Sequence, residues 1–170
     1  MKISDLIAEW LARHVRHVFA VSGGADLHLL DSIGERNDLK LICPQSEQAA
    51  GFMADAYARL TGCGVAVATS GPGATNLITP LAASFYDSVP AIYITGNQTR
   101  ARLENYGTRQ YGFQATPICE VAKPIAKGVY MVMQARDVIP VLDEALRFSQ
   151  VPRRGPVLVD LPDDLQREAC

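Results

Sequence analysis

Apolar residues near the start of the chain recur at helical spacing. Ile3, Leu6, Ile7, Trp10 and Leu11 share one face of a helix over residues 3–13, with Ser4 as its candidate cap. A short run, His17-Val18-Phe19-Ala20-Val21, then stops at Gly23-Gly24, which reads as a buried strand and a turn. The alternation continues with a helix over 27–33, a strand over 39–43 stopped by Pro44, and an alanine-rich helix over 46–60. Gly62 supplies the permissive conformation for the C-terminal cap of that helix. Next come a strand over 64–69, a helix over 74–85, strands over 89–95 and 124–129, a helix over 137–148 and a strand over 156–161.

Strands that are apolar nearly throughout are covered on both faces, and strands separated by helices pair in parallel. The pattern therefore predicts an α/β fold: one three-layer α/β/α domain over 1–170, built on a six-stranded parallel sheet. Ligands of such a sheet approach the carboxyl ends of its strands. There the sequence reads Gly23-Gly24, Pro44-Gln45-Ser46-Glu47, Ser70-Gly71-Pro72-Gly73 and Gly96-Asn97-Gln98. The segment 99–116 lacks periodicity and is polar, with Arg100, Arg102, Tyr106, Arg109 and Tyr111; a loop of that length is usually functional or mobile.

Among 170 residues, 16 are basic and 18 acidic, for a net charge of −2, with no basic run. That balance argues against nucleic acid as a partner. No apolar stretch reaches the length of a membrane span. Polar and acidic residues in Met1-Lys2-Ile3-Ser4-Asp5 stand where a signal peptide places its apolar core, so a cytoplasmic protein is expected. Cys43, Cys63, Cys119 and Cys170 form no CxxC pair, and His14, His17 and His28 form no HExxH. No metal site is expected from them; reduced thiols are the simplest reading.

Gly71-Pro72-Gly73-Ala74-Thr75-Asn76 joins a strand to a helix, where glycines let backbone approach a ligand and helix N–H groups are free. It is no dinucleotide fingerprint, because Asn76 replaces the third glycine, and no P-loop, because no Gly-Lys-Ser/Thr follows. Glu47 opens the alanine-rich helix. It either complements the helix dipole or presents a carboxyl group able to share a proton with a nitrogen base. Lys127, inside the strand predicted over 124–129, either sits at an exposed end or faces an anion. Phe113 and Gln114 end the long loop, and spacing alone assigns them nothing.

Taken in order, these segments resemble the N-terminal pyrimidine-binding domain of thiamine-diphosphate-dependent enzymes, in particular the acetolactate synthase and 2-oxo acid decarboxylase group. The resemblance is carried by 18–24, by Ser46-Glu47-Gln48-Ala49-Ala50-Gly51-Phe52-Met53-Ala54-Asp55-Ala56-Tyr57-Ala58-Arg59-Leu60-Thr61-Gly62, by Thr69-Ser70-Gly71-Pro72-Gly73-Ala74-Thr75-Asn76, by Asp87-Ser88-Val89-Pro90, by Ile94-Thr95-Gly96 and by 154–164. It implies that Glu47 hydrogen-bonds N1′ of the cofactor's aminopyrimidine, favouring the imino form of the 4′-amino group that removes the thiazolium C2 proton. It implies that Gly71, Pro72, Gly73 and Asn76 line the cofactor pocket and that Gly23 and Gly24 lie on the substrate side. It further implies that Gln114, next to Phe113, faces the reaction centre, and that Lys127 lies near the active-site or flavin region.

The chain departs from acetolactate synthases at two points: Ser46 replaces a usual His, and Ala115 a usual Glu. FAD, a structural cofactor of some members, is called for by no motif here. The Gly-Asp-Gly signature that holds the diphosphate through Mg²⁺ is also absent. The resemblance therefore implies a diphosphate-binding domain or subunit as partner, a homo- or hetero-oligomer, a small 2-oxo acid substrate, and inactivity of the isolated chain. Two alternatives are the α subunit of a split sulfopyruvate- or phosphonopyruvate-type decarboxylase and a noncatalytic interaction module with the same fold.

Overall fold

The structure is a computed structural model that describes residues 1–103 and 112–170. Six parallel strands form one sheet: β1 (His17–Val21), β2 (Lys40–Ile42), β3 (Gly64–Ala68), β4 (Ala91–Asn97), β5 (Gly128–Met131) and β6 (Val157–Pro162). Their order is β2-β1-β3-β4-β6-β5. The central strands β3, β4 and β6 are buried at every residue, as expected of strands covered on both faces.

Helices α1 (Ile3–His14), α2 (Leu27–Gly34) and α8 (Val138–Gln150) cover one face, where Ile7, Leu11, Leu29, Ile33 and Leu142 pack on Val65, Ile92 and Val159. On the other face lie α3 (Glu47–Thr61), α4 (Pro72–Asn76), α5 (Ile78–Tyr86) and α7 (Ile118–Ala122), with Ala50, Ala54, Leu77, Leu81 and Ile118 against Phe19, Ala66, Tyr93 and Leu158. The short helices α6 (Arg100–Leu103) and α9 (Asp163–Gln166) follow β4 and β6. This is the three-layer α/β/α arrangement expected from the hydrophobic pattern. Among the described residues no helix is long and apolar enough to cross a membrane.

The small residues of α3 bring it unusually close to its neighbours. A Cβ on Gly64 would lie 1.9 Å from the Ala54 carbonyl, and one on Gly51 would lie 2.3 Å from the Pro80 ring. A buried polar bridge reinforces this seam: Ser84 Oγ donates to Asp55 Oδ2 at 2.6 Å and lies 2.8 Å from the Tyr93 hydroxyl.

Three elements differ from expectation. Ser4 does not cap α1. It lies inside the helix, fully buried, 2.9 Å from Ser32 Oγ, while Asp5 accepts from the Lys2 amide at 2.7 Å in the capping position. The helix over 74–85 is two helices, broken at Leu77. Pro80 has no N–H to offer the Asn76 carbonyl, and its ring crowds that carbonyl, so a continuous helix is disfavoured there. The strand over 124–129 begins only at Gly128, because Lys123–Ile125 form a 3-10 turn that uses Pro124 in its first positions.

Candidate functional site

The chain leaves β1 toward β2 on one side and re-enters at β3 on the other. Loops at the carboxyl ends of β1 and β3 therefore diverge, and an open α/β sheet binds ligands in the crevice this creates. A pocket of about 520 Å³ opens at this rim, with Gly24, Thr69, Asn97, Gln114, Asp163 and Arg167 in its wall.

Glu47 is the first residue of α3, and the Ser46 side chain caps the helix by accepting from the Ala49 amide at 3.2 Å. The carboxylate is thus set at the positive end of a 15-residue helix. Asn76, the last residue of α4, donates from Nδ2 to Glu47 Oε2 at 2.9 Å. The other oxygen borders Gly73: a Cβ there would stand 3.5 Å from Oε1 and 2.7 Å from Thr69 Cγ2. The missing side chain lets Thr69 and the Glu47 carboxyl pack close against the Gly73 backbone.

The neighbouring turns are fitted to each other just as tightly. Gly71 has φ +63, and a Cβ would meet the Gln114 carbonyl at 2.6 Å, so only glycine suits both the backbone and the contact. Gln114 itself has φ +58. The Phe113 carbonyl accepts from Gln98 Nε2 at 2.6 Å, and the Phe113 ring is exposed. Gly23 packs on Thr69, whose Oγ1 accepts from the Ala25 amide at 3.0 Å; Gly24 faces open space.

The expected residues Gly23, Glu47, Gly71, Pro72, Gly73, Asn76 and Gln114 therefore meet through successive contacts, with Gly24 and Phe113 at the margin. Lys127 does not join them. It precedes β5 at the amino end of the sheet, on the opposite rim, where Nζ donates to the Val151 carbonyl and lies 4.9 Å from the centre of the Phe148 ring. Tyr106, Arg109 and Tyr111 lie outside the described residues.

Asp26 is a site residue the sequence reading passed over. Its side chain is fully buried; Oδ1 accepts from the Gly23 amide at 2.7 Å, and Oδ2 has no partner among the described residues. Burial is the main cause that raises its pKa to about 6, and the nearby Glu47 charge adds to it. The only local signal was a carboxylate two residues past the glycine pair at the end of β1. Asp160, buried in β6, is likewise raised to about 6 by burial, although Thr95 Oγ1 and Asn97 Nδ2 donate to it at 2.7 and 2.6 Å. Asp164 is held by Arg100 at 2.8 Å and Asp163 by Arg167 at 3.3 Å, so the three acids point to separate partners. Among the described residues no cluster of three or more His, Cys, Asp or Glu side chains is arranged for a metal ion.

An aminopyrimidine suits this donor set. Its ring nitrogen needs a carboxyl oxygen in reach, and Glu47 Oε1 borders the backbone of Gly73 rather than a bulky side chain. A family model described as the N-terminal TPP-binding domain of thiamine pyrophosphate enzymes matches residues 1–120. Acetolactate synthase 2 of Nicotiana tabacum is 43% identical over 169 residues, covering 98% of this chain and 25% of that protein. For acetolactate synthase of Arabidopsis thaliana the identity is 41%, with 98% and 24% covered, and for acetolactate synthase 2 of Zea mays 43%, with 98% and 26%. All three are named as chloroplastic, and the chain spans about a quarter of their length. The chain belongs to the thiamine pyrophosphate enzymes and is similar to acetolactate synthases across the length of this N-terminal TPP-binding domain.

Proposed function

We propose that this chain is the pyrimidine-binding part of a thiamine-diphosphate-dependent enzyme that decarboxylates or ligates small 2-oxo acids. The observation that carries the reading is the Glu47 carboxylate, tethered by Asn76 through one oxygen and bordered at the other by the bare backbone of Gly73.

When bound, the cofactor supplies the electron sink for the carbanion chemistry of the substrate. Glu47 holds and returns a proton at N1′ of the pyrimidine. Asn76 fixes the carboxylate plane, so that the oxygen facing the ring does not rotate away. Ser46 caps the amino end of α3 and so fixes the point at which Glu47 enters the site. Gly73 lets the Glu47 carboxyl lie against bare backbone, and Gln114, packed on Gly71, is assigned to the reacting end of the cofactor. Binding of the diphosphate through Mg²⁺ is assigned to a further domain or a partner chain, and the working unit to an oligomer.

Calorimetric titration of thiamine diphosphate with Mg²⁺ tests this, first into the chain alone and then into its complex with a diphosphate-binding partner. Tight binding only in the complex is expected. Tight, Mg²⁺-dependent binding by the chain alone would overturn the assignment of the anchor to another domain. Absence of binding in both would overturn the proposal.

A further inference from the structure

The amino end of the sheet carries a second pocket, of about 290 Å³, lined by Phe85, Lys127, Arg153, Arg154 and Gly155. It lies on the rim opposite Glu47, where the chain leaves α5 and enters β5 and β6. Three cations meet there, and neutral oxygens hold two of them. Lys127 Nζ donates to the Val151 carbonyl; Arg153 donates from Nη2 to the Tyr86 carbonyl at 2.8 Å and from Nε to Ser88 Oγ. Asp87, the acid next to Ser88 in sequence, is taken up by Arg59 at 2.7 Å.

Carbonyl and hydroxyl acceptors position a cation without neutralising it. Among the described residues, Arg153 keeps three of its five N–H donors and Lys127 two of its three. Lys127 is also partly desolvated, which pulls its pKa below the ordinary lysine value; a bound anion would offset that cost. Gly155 matters to the shape, because a Cβ there would stand 3.3 Å from Lys127 Cβ and displace the lysine stem. Two guanidinium forks and one ammonium point charge around a small concavity match the oxygens of a phosphoryl group. The Phe85 ring supplies an apolar wall for an organic substituent.

We propose that this pocket binds a small dianion of the phosphate or phosphate-monoester class, at a site separate from the cofactor crevice. The test is calorimetric titration of the chain with inorganic phosphate and with glycerol 3-phosphate, at ionic strength held constant with NaCl. Amide NMR shifts are followed in parallel. Saturable binding is expected, with shifts centred on Ser88 and Gly155. Arg154→Gln should weaken it by about tenfold or more, the loss expected for one charge-assisted contact. Arg153→Gln should do the same, with melting temperature as the control for folding. Equal binding of the two probes assigns free phosphate as the ligand. Tighter binding of glycerol 3-phosphate that is lost in Phe85→Ala assigns the ester. A non-saturating response, equal affinity in Arg154→Gln, or shifts centred on Gly71–Asn76 would overturn the proposal.

Discussion

Replacing Asp26 by Asn removes a carboxylate that the crevice buries beside another carboxylate. In the folded chain this group titrates near 6, against 3.8 for an ordinary aspartate. The folded pKa is raised, so the stabilising contribution of the neutral acid is fully present below about pH 4 and is lost as pH rises through 6. A shift of this size corresponds to about 3 kcal/mol above the folded pKa. The Asn amide oxygen can still accept from the Gly23 amide, so the turn keeps its contact. Asp160 titrates in the same window but is present in both proteins, and its effect drops out of the difference. Urea unfolding followed through Trp10, the single, buried tryptophan, supplies the assay. At pH 4 the two proteins should match within about 1 kcal/mol; at pH 7.5 Asp26→Asn should be more stable by about 3 kcal/mol, or roughly 6–12 °C in melting temperature. A difference that stays flat from pH 4 to 8, or a less stable variant at pH 7.5, would refute the reasoning.

Two further expectations follow from the geometry. Gly73→Ala places a methyl group 2.7 Å from Thr69 Cγ2 and 3.5 Å from Glu47 Oε1. Cofactor affinity, measured by calorimetry in the assembled enzyme, should fall by at least tenfold, while the melting temperature drops by only a few degrees; unchanged affinity would remove Gly73 from the pocket wall. Burial pushes the thiols of Cys63 and Cys119 up to about 12, whereas Cys43 and Cys170 are exposed. Iodoacetamide at pH 8, read by mass spectrometry, should therefore label Cys43 and Cys170 rapidly and the other two only on unfolding.

The layers were legible in the sequence because each depends on local pattern. Unbroken apolar runs gave β1, β3, β4 and β6, and helical spacing gave α1 and α8. Gly62 caps the end of α3 as expected, whereas Ser46, read as the first residue of that helix, is its N-terminal cap. Misplaced boundaries trace to prolines: Pro80 acts back along the chain to break the helix at Leu77, and Pro124 sits in a 3-10 turn that delays β5 to Gly128. The site was legible only as separate turns. The Asn76–Glu47 bond spans 29 positions, and the Gly71–Gln114 packing joins segments no local pattern relates. Asp26 escaped notice because its significance lies in burial and in the charge of Glu47, neither of which a single sequence displays. Lys127, which the sequence left open between an exposed strand end and an anion contact, precedes β5 at the amino end of the sheet.

The proposed function depends on the Glu47 carboxyl acting on the pyrimidine ring. Exchange of the cofactor C2 proton for deuterium in the assembled enzyme, quenched and read by NMR, measures that action without a substrate. Glu47→Gln keeps the side chain's shape and removes its acid. Exchange should slow by about 10²–10⁴-fold, the range for loss of one general acid–base group, with cofactor binding weakened by much less. Wild-type exchange rates in a variant that binds the cofactor would contradict the account.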